Sequence, residues 1–97
     1  MATYISLLQF TDKGVGNVKE TTKRAQAATA EAEKMGVKIT NALWTMGAYD
    51  VVLLLDAPDD DTVSAFSLKL GSLGNVKSHT MRAFRQEEME KILAKIK

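Results

Sequence analysis

Five consecutive apolar residues, Val51-Val52-Leu53-Leu54-Leu55, stand between Asp50 and Asp56. The run is far below the ~20 residues that cross a bilayer, and turn signals bound it, Gly47 before and Pro58 after. A strand that is apolar in both directions has to be buried on both faces. Whatever this chain folds into therefore contains a sheet with this segment near its centre and cover on each side of it.

The neighbouring segments supply the rest of such a sheet. Thr3 to Phe10 is rich in β-branched and aromatic residues at strand length, and Thr11-Asp12 can cap the backbone of a helix starting there. Gly14 and Gly16 each cost roughly 1 kcal/mol relative to alanine in a helix, so Asp12 to Glu20 is predicted as a short or distorted turn. Lys23 to Met35 carries Ala25, Ala27, Ala28, Ala30 and Ala32 and is closed by Gly36, the signature of a helix with a left-handed stop. Ala25, Ala28, Ala32 and Met35 recur at i, i+3, i+7 and i+10, a stripe of small side chains that predicts close approach of this helix to the sheet. Val37, Ile39, Asn41 and Leu43 alternate with Lys38, Thr40, Ala42 and Trp44, which predicts a strand of unbroken period two. Asp59-Asp60-Asp61 opens a second helix whose buried face is Val63, Phe66, Leu70 and Leu73. Asn75 to Phe84 is a strand with Val76, Ser78, Thr80 and Arg82 on one side and Lys77, His79 and Met81 on the other. Gln86 to Lys97 is a final helix with acidic residues early and lysines late, and Met89, Ile92, Leu93 and Ile96 as its inward face.

The order β-α-β-β-α-β plus a terminal helix is a single α+β domain over residues 1–97, a ferredoxin-like sandwich with a four-stranded antiparallel sheet. Two helices cover one face of that sheet. The other face is bare and apolar, which a soluble monomer seldom tolerates. Either the terminal helix folds back over it, or a second copy covers it in an isologous dimer. The dimer, or a higher homo-oligomer built from it, is the expectation.

Composition narrows the chemistry. Thirteen Lys+Arg against twelve Asp+Glu leave a net charge of +1, so no field draws nucleic acid or an anionic membrane. The absence of Cys removes thiolate nucleophiles and thiolate metal sites, and a lone His removes any multi-histidine metal site within one chain. No metal and no cofactor are predicted. The opening Met1 to Thr11 lacks the basic start of a signal peptide, so a cytoplasmic location is expected.

The stretch Trp44 to Asp50, with Gly47-Ala48-Tyr49-Asp50 at its end, resembles the signature of the GYD-domain family, here as Gly-x-Tyr-Asp. The resemblance continues through Thr3-Tyr4-Ile5, Phe10 to Gly14, Ala57-Pro58-Asp59-Asp60, Gly71 to Val76 and Arg82-Ala83-Phe84, and covers essentially the whole chain. It implies a ferredoxin-like fold of the dimeric α/β-barrel type in a bacterial or archaeal protein. A fainter similarity, carried by Gly47-x-Tyr49-Asp50, Gly74-Asn75-Val76 and Thr80, is to the ligand-binding domains of leucine-responsive regulators, which bind amino acids between subunits. No DNA-binding helix-turn-helix accompanies it, so only the sensing half of that analogy applies.

Five residues are candidates for a ligand site: Tyr49, Asp50, Trp44, His79 and Arg82. Asp50 opens an apolar strand, and a carboxylate there needs a cation or backbone N–H donors. It ties down the preceding hairpin, pairs with Arg82, or serves as a base or ligand anchor. Tyr49 and Trp44 flank the turn and are either core or pocket lining. Histidine is the common acid–base side chain of enzymes, so His79 is the default acid–base group, or else an exposed edge residue. Thr21-Thr22-Lys23-Arg24 bring hydroxyls and cations to a helix start, where capping explains the threonines. The resulting expectation is a homodimer binding a small molecule near the sheet and the seam. The alternatives are a cofactor-independent oxygenase or isomerase with His79 or Asp50 as base, and a structural or interaction module.

Overall fold

The computed structural model describes residues 1–97. Its elements are β1 (Ala2–Phe10), α1 (Asp12–Gly16), a 3-10 turn at Val18–Glu20, α2 (Thr21–Lys34), β2 (Lys38–Trp44), β3 (Val51–Ala57), α3 (Asp60–Ser72), β4 (Val76–Ala83) and α4 (Gln86–Leu93). The sheet is antiparallel in the order β2-β3-β1-β4, which places the apolar Val51–Leu55 strand and β1 at the centre, as a ferredoxin-like α+β fold requires. No helix is long and apolar enough to cross a membrane.

Register separates the two faces. Tyr4 pairs with Leu55 and Arg82, Ser6 with Leu53 and Thr80, and Leu8 with Val51 and Ser78, and these rows face α2 and α3. Ile5 pairs with Leu54 and Met81, and Leu7 with Val52 and His79, on the opposite, open face. The core lies on the helix side and is tightest where Ala32, Val37, Leu55, Ala57 and Val63 are almost wholly buried.

Two sequence expectations give way here. The alternation of β2 is broken between Ile39 and Asn41, where Thr40 is an extra residue against β3. The bulge returns the alternation out of phase, so Ile39, Ala42 and Trp44 share the helix side while Asn41 and Leu43 face outward. Nor is the terminal helix turned inward: Met89, Ile92, Leu93 and Ile96 are 41%, 37%, 53% and 74% exposed. The helix is tethered at its base by Arg82 to Glu88 (2.9 Å) and does not close over the open face. The radius of gyration, 14.6 Å, exceeds the ~13 Å of a compact chain of about this length.

At the far end of the sheet, α1 hooks onto the loop before β4. Thr11 donates its N–H to Asn75 O (3.0 Å) and its hydroxyl to Gly74 O (2.5 Å), and accepts from Gly14 N (3.1 Å). The approach leaves no room at Gly14, where a Cβ would stand 2.0 Å from Asn75 O. Gly16, with nothing within 4 Å, is free of this constraint.

Gly14→Ala, by overpacking backbone against backbone, lowers stability by about 1–3 kcal/mol, whereas Gly16→Ala is neutral or stabilising; thermal melts of the two variants check the contrast. A second expected outcome concerns Asp59, which caps α3 by accepting from Thr62 N (2.8 Å) and Thr62 Oγ1 (2.6 Å), so that its carboxyl titrates below the ordinary aspartate range. Its stabilising effect is complete above the ordinary aspartate value and is lost as pH falls through the depressed one. Urea melts of wild type and Asp59→Asn should therefore diverge above that window and converge below it.

Candidate functional site

The five candidates from the sequence do not form one cluster. Asp50 sits at the entry to β3, where its Oδ2 accepts from Phe10 N (2.8 Å), its own N–H donates to Leu8 O (2.8 Å), and its carbonyl accepts from Thr45 N (2.8 Å). The carboxylate thus ties the β2–β3 hairpin to the end of β1. It does not pair with Arg82, because Arg82 lies opposite Tyr4, four residues or about 13 Å back along β1 from Leu8.

Tyr49 and His79 do meet. Their rings are edge-to-face with centroids 5.8 Å apart. Gln9 links both to the hairpin: its Oε1 lies 3.2 Å from His79 Nε2, and its Nε2 donates to Ala48 O (3.0 Å). Neither the spacing nor the type of Gln9 marked it in the sequence; only the β1–β4 register brings it beside His79. This small polar group sits at the β4 edge of the open face, at the end where the hairpin turns.

Arg82 is on the helix side at the opposite end. Its guanidinium lies over the rings of Phe84 (4.6 Å) and Tyr4 (5.6 Å), donates to Thr3 O (3.1 Å) and Ala83 O, and pairs with Glu88. The arginine, with the Arg85 N–H, holds the Glu88 carboxyl below the usual glutamate range. Tyr4 donates to Asp60 Oδ1 (2.5 Å), and this bond to a carboxylate, with burial, pushes the Tyr4 hydroxyl above the ordinary tyrosine value. Ser67 and Thr80 continue this polar groove between α3 and β4, with Thr80 Oγ1 3.1 Å from Ser67 and 3.0 Å from Ser6. Arg82 is therefore the bracket that holds α4, with three hydrogen bonds from its two terminal nitrogens.

Trp44 belongs to a third place. The bulge at Thr40 turns it to the helix side, where its Nε1 donates to Thr21 Oγ1 (3.0 Å). Thr21 is thus engaged with Trp44, and no side chain caps the start of α2. Together they stand at one end of a cavity of about 330 Å³ between α2, α3 and the sheet, walled by Leu8, Ala25, Ala28, Leu53 and Phe66 among others. The alanine stripe brings α2 close only at Ala32, which is fully buried; Ala25 and Ala28 remain half-buried, because nothing on the sheet or α3 reaches far enough to meet so short a side chain. Across the two helices runs the ion pair Lys69–Glu31, and the lysine holds the Glu31 carboxyl below its ordinary range. No group of three His, Cys, Asp or Glu side chains is placed to hold a metal ion.

The family model described as the GYD domain matches residues 4–93. A protein of Thermus thermophilus named glutamine synthetase and cystathionine beta-lyase binding protein is 33% identical over 84 residues, which is 86% of this chain and 88% of that protein. The crystal structure of TTHA0845, also from Thermus thermophilus, aligns at a TM-score of 0.58, covering 88% of this chain and 95% of that one; at 22% identity it is a likeness of fold. The match to the family model spans β1 to α4 and includes Tyr4, the Gly47-to-Asp50 turn and the Arg82 bracket, and the chain belongs to the GYD-domain family.

Proposed function

We propose that this chain is a non-catalytic interaction module that works as a homodimer through its open sheet face and docks onto larger protein partners. The observation that carries the reading is the bare face itself. Ile5, Leu7, Val52 and Leu54, each half-buried, form its centre, and Leu43 and Met81 flank them at 59% and 45% exposure. Four strands about 4.8 Å apart and seven residues at about 3.3 Å each give a flat footprint of roughly 440 Å². That is as large as the biggest apolar patch on a typical monomer, and about half of the ~800 Å² per partner of a stable interface. The apolar edge of α4 supplies further area beside it.

A second copy is the occupant that fits. Charges on this face are few and of both signs: Lys38 stands opposite Asp56 on one flank, and Lys77 lies on the other. Such a face is compatible with its own image about a two-fold axis. The Thermus relative, named for binding two enzymes, supports protein partners for the assembled dimer, glutamine synthetase and cystathionine beta-lyase being the first to try. Against catalysis stand the commitment of the Asp50 carboxylate to Phe10 N–H and the position of His79 on an exposed strand with Gln9 as its side-chain hydrogen-bond partner. A second reading places a small polar ligand at the seam, and the Tyr49–His79–Gln9 group at its β4 edge favours it.

Light scattering at micromolar concentration should give twice the 10.6 kDa chain mass, and Leu54→Glu, which puts a charge in the middle of the face, should give single chains with an unchanged far-UV spectrum. Wild type that scatters as one chain contradicts the dimer. In surface-immobilised binding assays, the dimer should bind one or both purified enzymes saturably at micromolar concentration, and absence of binding to both removes these two as partners. For the second reading, a thermal-shift screen of amino acids should find a stabiliser whose effect His79→Ala abolishes; an unchanged shift in that variant places the ligand elsewhere.

A further inference from the structure

We propose that the cavity between α2 and α3 is a binding site for a small apolar molecule bearing one carboxylate, with the carboxylate on Arg24 and the apolar body against Ala25, Ala28, Leu53 and Phe66. The site is separate from the open face and from the Tyr49–His79 group, and it is independent of the dimer.

Three observations converge on it. The first is size. Protein interiors contain few voids larger than a water molecule, and 330 Å³ lies within the range of ligand pockets and equals about eleven water-sized groups. The second is the lining. Fourteen of its twenty residues are hydrophobic, so the walls offer ordered water few partners, and a void of this kind favours an apolar guest. The alanines of α2 create the space: each stands where a leucine or isoleucine would fill the gap between helix and sheet.

The third is charge. The lining carries Arg24, Lys69 and Glu31. Lys69 and Glu31 neutralise one another. Arg24 is in none of the ion pairs of the molecule. Its guanidinium is held in place by Asn17 O (2.6 Å, from Nη1) and Gly14 O (3.2 Å, from Nη2), both backbone carbonyls. An arginine has five N–H donors, so three remain for a guest once the two carbonyl bonds are counted. A half-buried cation without a counter-ion beside an apolar void selects a monoanion with an apolar body, and a carboxylate matches the guanidinium fork.

Trp44, the one tryptophan of the chain, lines this cavity and reports on it. The probes are 3-phenylpropanoate, which is small enough for the cavity, and 3-phenylpropan-1-ol, its neutral counterpart. Titration of wild type should shift Trp44 fluorescence saturably and move the methyl resonances of Ala25 and Leu53, with the acid binding about tenfold more tightly than the alcohol, the order a charge-assisted pair provides. Arg24→Gln should bring the acid to the level of the alcohol and leave the alcohol unchanged, and Ala28→Phe, which takes up part of the void, should weaken both. The proposal is overturned if neither probe gives a saturable change in fluorescence or methyl shifts. It is equally overturned if Arg24→Gln keeps the preference for the acid, or if folded Ala28→Phe binds both as wild type does. Should Ala28→Phe fail to fold, the acid-to-alcohol ratio in Arg24→Gln decides alone.

Discussion

The double-sided apolar character of β3 is the constraint from which the remaining architecture derives. Val51, Leu53 and Leu55 are each 6% exposed or less beneath α2 and α3, while Val52 and Leu54, between them in sequence, point to the other side of the sheet. β1 lies beside β3 with the same property, so the helix layer satisfies only half of the apolar surface at the centre of the sheet. Hydrophobic burial is proportional to the area removed from water. The open face is thus a reserve of stabilisation that folding of one chain leaves unused and that association can draw on.

The covered half is itself uneven. At the end of Tyr4, Leu55 and Ala57 the helices are drawn in by Ala32, Val37 and Val63, and the sheet edge is locked by Tyr4–Asp60 and by the Arg82 bracket. At the end of Leu8, Val51 and Trp44 the helices stand apart over a cavity, and the Thr11–Gly14 hook and the Asp50 tie hold the strand ends below it. Polar groups at both ends are hydrogen-bonded, and no buried side-chain polar atom is left without a partner. The unfilled volume sits at the Leu8 end of the sheet, beneath the short side chains Ala25 and Ala28 of α2.

Element types and order were legible because their signals are local: the apolar run of β3, Gly36 after the alanine helix, and the Asp59 cap. What was not legible depends on register and on distance across the fold. The bulge at Thr40 has only a faint mark in the sequence, polar Asn41 standing in the phase of Val37 and Ile39 while apolar Ala42 and Trp44 take the phase of Lys38, yet it decides that Trp44 faces the cavity and not the open face. Asp50 and Arg82 are both polar interruptions of apolar strands, and a sequence reading pairs them naturally; antiparallel register sets them at opposite ends. The alanine stripe announces a close helix–sheet contact and yields one at Ala32 alone, since proximity also needs a partner surface that reaches it. The periodicity of α4 gives an apolar face but not the chain in which its partner lies, and here Ile92 and Leu93 stay 37% and 53% exposed.

The central claim is that the face of Ile5, Leu7, Val52 and Leu54 is covered by the same face of a second molecule. Isotope-filtered NOE spectroscopy on a sample mixed from labelled and unlabelled chains reads this contact without altering a residue. Cross-peaks between protomers from the methyl groups of these four residues are the result expected. Intermolecular cross-peaks arising only from α2 or α3, or none at millimolar concentration, would contradict it.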